Sequence, residues 1–278
     1  MAAVGCTGAL AITGLLAFEF PLARSHDGAV LFGFRQLAAS PRIDGAATLI
    51  LGATTPPAFA AIGAVFVAVA LARGLRRLAV SIPLAMGAAL GTSEALKPLL
   101  AHARHVAALG PDQIAAASWP SGHATGAMMV ALCGLLVAPA RYRPLVALAG
   151  GALTLAVSYS ILVLGWHFPS DVLGGFLVAG IWLSLLLAVA LPGSPRAVGA
   201  RAPGRRRRAV GAALAPAVLA CGGVVALALH GDLSHTLVRP DGWFVLGAIG
   251  IAALAAAMSA GLVAALATPD RSPRAQPG

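Results

Sequence analysis

Two histidines and a carboxylate have the types and spacing of groups that handle phosphate. His167 precedes Asp171 by four residues, so a carboxylate at a helix start can accept a hydrogen bond from the imidazole and fix its tautomer. His123 follows a turn in which Ser121 can cap a helix and Gly122 allows close approach of a ligand to the backbone. The free N–H groups of such a helix N-terminus bind anions. The pattern predicts a nucleophile, a proton donor and an anion site.

Two cations come shortly before that turn. Lys97 is the single lysine among 19 basic residues, and it lies near the end of a long apolar run. Arg104 stands just beyond the run and offers a planar guanidinium that suits phosphate oxygens. Both are candidate phosphate ligands. The alternative for Lys97 is a simple ion pair with Glu94, one helical turn earlier.

Composition indicates which elements must position these groups. The chain has 278 residues, of which 59% are hydrophobic and 10% charged, and its mean hydropathy is +0.89. These values exclude a soluble domain and predict an all-α, polytopic membrane helix bundle. We identify eight apolar runs as spans, and the apolar segment 46–53 fits an interfacial turn. The runs are residues 4–22, 57–72, 78–101, 123–140, 145–166, 171–191, 209–229 and 243–267.

Arginines orient the predicted bundle, because short loops rich in arginine stay on the cytoplasmic side. Three loops carry them, and all three fall on one side of the bundle. This predicts a plasma-membrane protein with both termini in the cytoplasm and with the candidate site on the outer face. The residues concerned are Arg73, Arg76, Arg77, Arg141, Arg143, Arg201 and Arg205 to Arg208.

The net charge of +10 does not indicate a nucleic-acid partner, because its surplus lies in these loops. The run Arg205, Arg206, Arg207 and Arg208 is a candidate contact for anionic lipid headgroups, and the alternative is a role in topology alone. Cys6, Cys133 and Cys221 are dispersed in apolar runs without the spacing of a metal or disulfide site. We therefore expect neither a metal nor a cofactor.

Together these residues resemble the type 2 phosphatidic acid phosphatase (PAP2) superfamily, also called lipid phosphate phosphatases. Its motifs are K-x6-R-P, P-S-G-H and S-R-x5-H-x3-D, and residues that match them follow in the same order within residues 1–192. The matching positions are Lys97, Arg104, Pro120 to His123, Ser160, His167 and Asp171.

The resemblance implies a six-helix core and a metal-independent phosphatase. His167 would attack phosphorus to give a phosphohistidine, Asp171 would orient it, and His123 would protonate the leaving oxygen. The phosphoryl oxygens would be held by Lys97, Arg104, Ser121 and Gly122. The implied substrate is a lipid phosphate or diphosphate in the outer leaflet, and undecaprenyl diphosphate and phosphatidic acid both fit.

The sequence departs from the family motifs at two positions. His105 replaces the proline of the first motif, and Ile161 replaces the arginine of the third. Loss of that charge-assisted contact, worth about 1.5 to 3 kcal/mol, would weaken activity. The alternative function is therefore an inactive or slow relative that binds or transports phosphorylated lipids.

The resemblance leaves the C-terminal third of the chain without a role. Residues 193–208 form a basic linker, and residues 209–278 are predicted to add a two-span hairpin and a cytoplasmic tail. Arg239, in the polar loop of that hairpin, is a candidate for an auxiliary cation at the site.

Overall fold

The computed structural model describes residues 2–106, 109–111, 113–190, 203–229 and 242–266. Over these ranges the chain folds into ten helices and contains no strand. The helices are α1 (Ala2–Glu19), α2 (Pro21–Leu37), α3 (Pro41–Ala53), α4 (Pro56–Ala72), α5 (Arg76–Leu99), α6 (Gly122–Val137), α7 (Arg143–Val163), α8 (Pro169–Ala190), α9 (Pro203–Leu229) and α10 (Gly242–Ala265).

Most of these helices are long and apolar enough to cross a bilayer. Six in the described part of the chain meet that condition: α1, α5, α7, α8, α10 and residues Arg207–Ala226 of α9. Helices α3 and α4 meet it only as a pair, bent by 57°, and α6 is shorter, with 16 residues. The protein is therefore a multi-pass helical membrane protein. Each of the eight predicted spans coincides with a helix. The six long helices give six crossings, and eight are reached only if the bent pair α3–α4 and the shorter α6 also cross the bilayer.

The segment after the first span contains two helices that the hydropathy pattern did not reveal. Helix α2 buries Val30, Leu31 and Phe34 and also carries charged residues, among them Asp27 one turn before Val30 and Leu31. Because the charged residues lower the mean hydropathy of α2, the hydropathy pattern does not predict a membrane span there. Helix α3 occupies the segment 46–53, so the expected interfacial turn is wrong: the apolar run continues a helix that begins at Pro41.

The core is built around α6, in which every residue except His123 is buried. Helices α7 and α8 pack against it, and α5 packs against both α6 and α8. Glycines permit the closest approaches: a Cβ at Gly175 of α8 would lie 2.6 Å from the carbonyl oxygen of Ser121. This contact brings the first turns of α6 and α8 together at one end of the bundle.

Helices α9 and α10 pack on the preceding helices. The Tyr159 hydroxyl of α7 donates to the Ala248 carbonyl at 2.9 Å, and α10 also packs along α2. The Phe34 and Phe244 rings meet edge to face at 4.9 Å. The proposed division into units 1–192, 193–208 and 209–278 stays a prediction.

Candidate active site

The N-terminus of α6 forms one wall of the candidate site. Ser121 has extended dihedrals, φ −71° and ψ 119°, and its side chain accepts from the Ala124 N–H, as predicted for a cap. The Ser121 N–H donates to the Asp171 carbonyl at 2.9 Å. This hydrogen bond fixes the α6 terminus beside the first turn of α8.

His167 and Asp171 form the predicted pair. The His167 Nδ1 lies 3.2 Å from the Asp171 Oδ2, and the same oxygen accepts the Phe168 N–H at 3.0 Å. Asp171 is fully buried and His167 nearly so. An ionised Asp171 requires the proton on Nδ1, which leaves the His167 Nε2 lone pair available as a nucleophile.

Helix α8 starts two residues before the predicted span 171–191. It begins at Pro169, and the Asp171 N–H donates to the Phe168 carbonyl at 3.0 Å. The Asp171 side chain itself bonds the Phe168 N–H. The Asp171 carboxylate therefore accepts a backbone N–H at the start of α8 and also contacts the His167 ring.

Arg104 is buried and uses both terminal nitrogens on protein partners. Its Nη2 donates to the Asp171 Oδ1 and to the Ser118 hydroxyl, each at 2.6 Å. Its Nη1 donates to the Ser170 hydroxyl at 3.0 Å. The guanidinium lies over the Phe168 ring, 4.1 Å from its centroid. The structure thus brings Arg104 to the back of the His167–Asp171 pair, while its role as a phosphate ligand stays a prediction.

Lys97 reaches the α6 terminus together with Glu94. The Lys97 Nζ and the Glu94 Oε1 are 2.6 Å apart, and a Cβ at Gly122 would lie 2.7 Å from that oxygen and 3.8 Å from Nζ. A carboxylate oxygen and an ammonium therefore stand directly over Gly122. This place suits an anion, because Gly122 begins a helix and offers no Cβ.

His123 faces the same region. Its ring lies 5.9 Å from the ring of Trp166, which precedes His167, and it is within electrostatic range of His167, Lys97 and Glu94. The structure therefore brings the two histidines and the lysine to one end of the bundle. A proton donor and a nucleophile at this end could act on opposite sides of one phosphorus atom.

Sequence reasoning missed Asp27, which lies on α2. Its carboxylate accepts from the Ser170 N–H at 2.9 Å and from the Ser170 hydroxyl at 2.6 Å. Burial raises the pKa of Asp27 to about 6, and the Ser170 hydrogen bond and the Arg104 charge oppose that rise. The sequence signal that could have identified Asp27 is an acidic residue one turn before the apolar residues that α2 buries.

Two further predictions have different outcomes. Ile161 is fully buried, and its effect on activity stays a prediction. Arg239 lies outside the described residues, and the auxiliary role proposed for it stays a prediction. In the ranges that the structure describes, no three His, Cys, Asp or Glu side chains gather as metal ligands.

The fold and site define a multi-pass membrane protein with a buried His–Asp pair beside a capped helix N-terminus. A family model described as the PAP2 superfamily matches residues 78–192. The resemblance to this superfamily is confirmed, although the match covers a narrower range than residues 1–192. It supports a phosphatase-type activity on phosphorylated substrates. The chain matches none of the curated proteins and none of the solved structures with which it was compared.

Proposed function

We propose that this protein hydrolyses the phosphate or diphosphate ester of a membrane lipid. The observation that carries the proposal is the alignment of His167 by Asp171 at 3.2 Å, next to the helix terminus where Lys97 stands over Gly122. Nucleophile, anion site and second imidazole occur together at one end of an apolar bundle. Such a bundle favours a substrate that resides in the bilayer.

The reaction has two balanced steps. The His167 Nε2 attacks phosphorus and forms a P–N bond while the P–O bond to the lipid breaks, and His123 gives its proton to the departing oxygen. Water then attacks the phosphohistidine and loses a proton to His123. The P–N bond breaks, and inorganic phosphate leaves. With a diphosphate substrate, the group that departs in the first step is the lipid monophosphate. Lys97 and the α6 N-terminus offset the charge on the phosphoryl oxygens.

The arginine distribution supports placing the site at the outer face of the plasma membrane, with both termini in the cytoplasm. Substrates of the outer leaflet then reach His167 without crossing the bilayer. Phosphatidic acid and undecaprenyl diphosphate represent the two lipid classes that fit this proposal. The exposed Arg207 and Arg208 are proposed to contact anionic headgroups on the opposite side, together with Arg205 and Arg206.

One observation favours the alternative of a binding or transport relative. Arg104 is engaged by protein partners at both terminal nitrogens, and Ile161 supplies no charge. A site that holds lipid phosphate without cleaving it would need Lys97 and the helix terminus but not His167.

Phosphate release separates these functions. Purified protein in mixed micelles should release phosphate from phosphatidic acid or undecaprenyl diphosphate in excess EDTA, because His167 supplies the nucleophile. His167→Ala should abolish release. The control is His105→Ala, which removes an exposed histidine of the neighbouring loop and should keep activity. Absence of release from folded wild-type protein that still binds these lipids would support the alternative.

A further inference from the structure

Asp27 joins α2 to the residues that hold the candidate nucleophile. It belongs to a helix that precedes the segment matched by the family model. Its two carboxylate oxygens divide between the N–H and the hydroxyl of Ser170. Ser170 is the immediate neighbour of Asp171 in the first turn of α8. The position of that turn therefore depends on α2.

The same carboxylate also faces Arg104. The Arg104 Nη1 lies 3.6 Å from the Asp27 Oδ2, and its Nη2 lies 2.6 Å from the Asp171 Oδ1. One buried guanidinium thus stands between two carboxylates, with the Ser170 hydroxyl bonded to both Arg104 and Asp27. Asp171 carries the connection on to the His167 Nδ1.

The charges of Arg104, Asp27 and Asp171 balance one another, so removal of one charge should affect the positions of the other two side chains. A buried ion keeps its charge at tolerable cost only when partners of opposite charge and hydrogen bonds surround it. With Asp27 present, Arg104 has a carboxylate on each side and is held from both. Without it, Arg104 keeps its bonds to Ser118, Ser170 and Asp171 but loses the second carboxylate. The Ser170 N–H and hydroxyl also lose their acceptor, so the first turn of α8, and with it Asp171, is held less firmly.

We propose that Asp27 is a positioning residue of the active site, which holds Arg104 and the first turn of α8 so that Asp171 stays aligned with His167. The proposal rests on the proposed phosphatase function. In this arrangement Arg104 acts through Asp171, and Asp27 touches no substrate. Rate should therefore depend on Asp27 more strongly than substrate binding does, because small displacements of a reacting group are costly.

Packing fixes α2 in the place that this role requires. A Cβ at Gly28, next to Asp27, would lie 2.6 Å from a methyl group of Val106 in the loop that carries Arg104. On its other side, His26 stacks on Trp243 with ring centroids 3.6 Å apart. Asp27 is thus held between the Arg104 loop and α10.

The kinetic test compares Asp27→Asn with Asp44→Asn, a matched substitution at an acidic residue of α3. Asp27→Asn should lower kcat for phosphatidic acid about tenfold to a hundredfold, the scale expected for a misplaced reacting group, and leave KM nearly unchanged. Asp27→Glu, which restores the charge, should recover part of the rate. Asp44→Asn should match wild type. An unchanged kcat in Asp27→Asn, or a change in KM alone, would overturn the proposal.

Hydrogen exchange provides a readout that does not require activity. Amide exchange of Ser121 and Phe168, which bond to Asp171, should accelerate in Asp27→Asn and not in Asp44→Asn. Equal exchange in both variants would overturn the proposal even where wild type releases no phosphate. If Asp27→Asn does not fold, Ser170→Ala replaces it, since that change removes the hydroxyl that bonds both Asp27 and Arg104. Unaltered exchange in Ser170→Ala would count against the proposal equally. Accelerated exchange in an enzyme without phosphatase activity would refute the proposed function alone.

Discussion

Glu94 places a carboxylate at the position proposed for a phosphate oxygen. Its Oε1 is 2.6 Å from the Lys97 Nζ and stands over Gly122, so the sequence alternative of a Lys97–Glu94 ion pair is present in the structure. That pair does not conflict with a functional Lys97. It means that a phosphate bound by Lys97, as proposed, would stand close to a second negative charge.

Glu94→Gln should therefore lower the KM for lipid phosphates. The side chain of Glu94 is largely exposed, and exposed ion pairs contribute about 0.2 to 1 kcal/mol, so the decrease should reach at most about fivefold. Glu19→Gln, at an exposed acidic residue that ends α1, serves as the control and should leave KM unchanged. A raised KM in Glu94→Gln would show instead that Glu94 positions Lys97 for substrate.

At the residue scale, sequence predicted contacts that are close along the chain. His167 and Asp171 are four residues apart, with His167 two residues before the start of α8, so local geometry at the helix start brings them together. Asp27 and Ser170 are 143 residues apart, and no spacing rule connects them. Arg104 was predicted at the site, but its burial against Asp171 depends on the fold of its loop, which the sequence pattern does not specify.

Among the elements, span-length apolar runs were predictable and amphipathic helices were not. The eight runs reappear as helices with shifted ends, because twenty apolar residues in a bilayer have few alternatives to a helix. Helices α2 and α3 lie between the first two predicted spans, and the mixed composition of α2 resembles that of a loop. Its buried face becomes evident only when α7, α8 and α10 are in place around it.

The contact between α2 and α10 can be tested with two glycines of the same helix. A Cβ at Gly247 would collide with the Cγ1 and Cγ2 atoms of Val30, whereas nothing lies within 4 Å of a Cβ at Gly250. Both substitutions to alanine bring the same gain in helix propensity. Gly247→Ala should nevertheless lower the thermal unfolding midpoint in detergent, since overpacking costs about 1 to 3 kcal/mol.

Gly250→Ala should keep or raise that midpoint. If Gly247→Ala also lowers phosphate release, its effect should fall on kcat, as for Asp27→Asn. Indistinguishable midpoints for the two variants would mean that α2 and α10 are less closely packed than the structure indicates.

For the whole molecule, the two ends of the bundle differ in chemistry. His123, His167 and Lys97 gather at one end. At the other end, the Arg73 Nη1 donates to the Val137 carbonyl at the C-terminus of α6 at 2.6 Å, and Arg141 and Tyr142 lie just before α7. The positive-inside rule assigns the arginine-rich end to the cytoplasm.

Cysteine labelling tests this orientation. Ser118 is buried against Arg104, so Ala117, which is exposed in the same loop, is the better outer position. In a background without the native cysteines, Ala117→Cys should react with an impermeant maleimide in intact cells. Tyr142→Cys, exposed at the opposite end, should react only after permeabilisation. The reverse pattern would place His167 in the cytoplasm and contradict the outer-leaflet proposal.

The separation between Asp27 and Ser170 has a consequence for biosynthesis. Ribosomes add about 5 to 20 residues per second, so the 143 intervening residues take on the order of 7 to 30 s to appear. During that interval α2 has been made but has neither Ser170 nor, later still, Trp243 to dock against. The contact of His26 with Trp243 therefore forms only after synthesis has passed residue 243, whereas the Asp27–Ser170 contact requires synthesis only as far as residue 170.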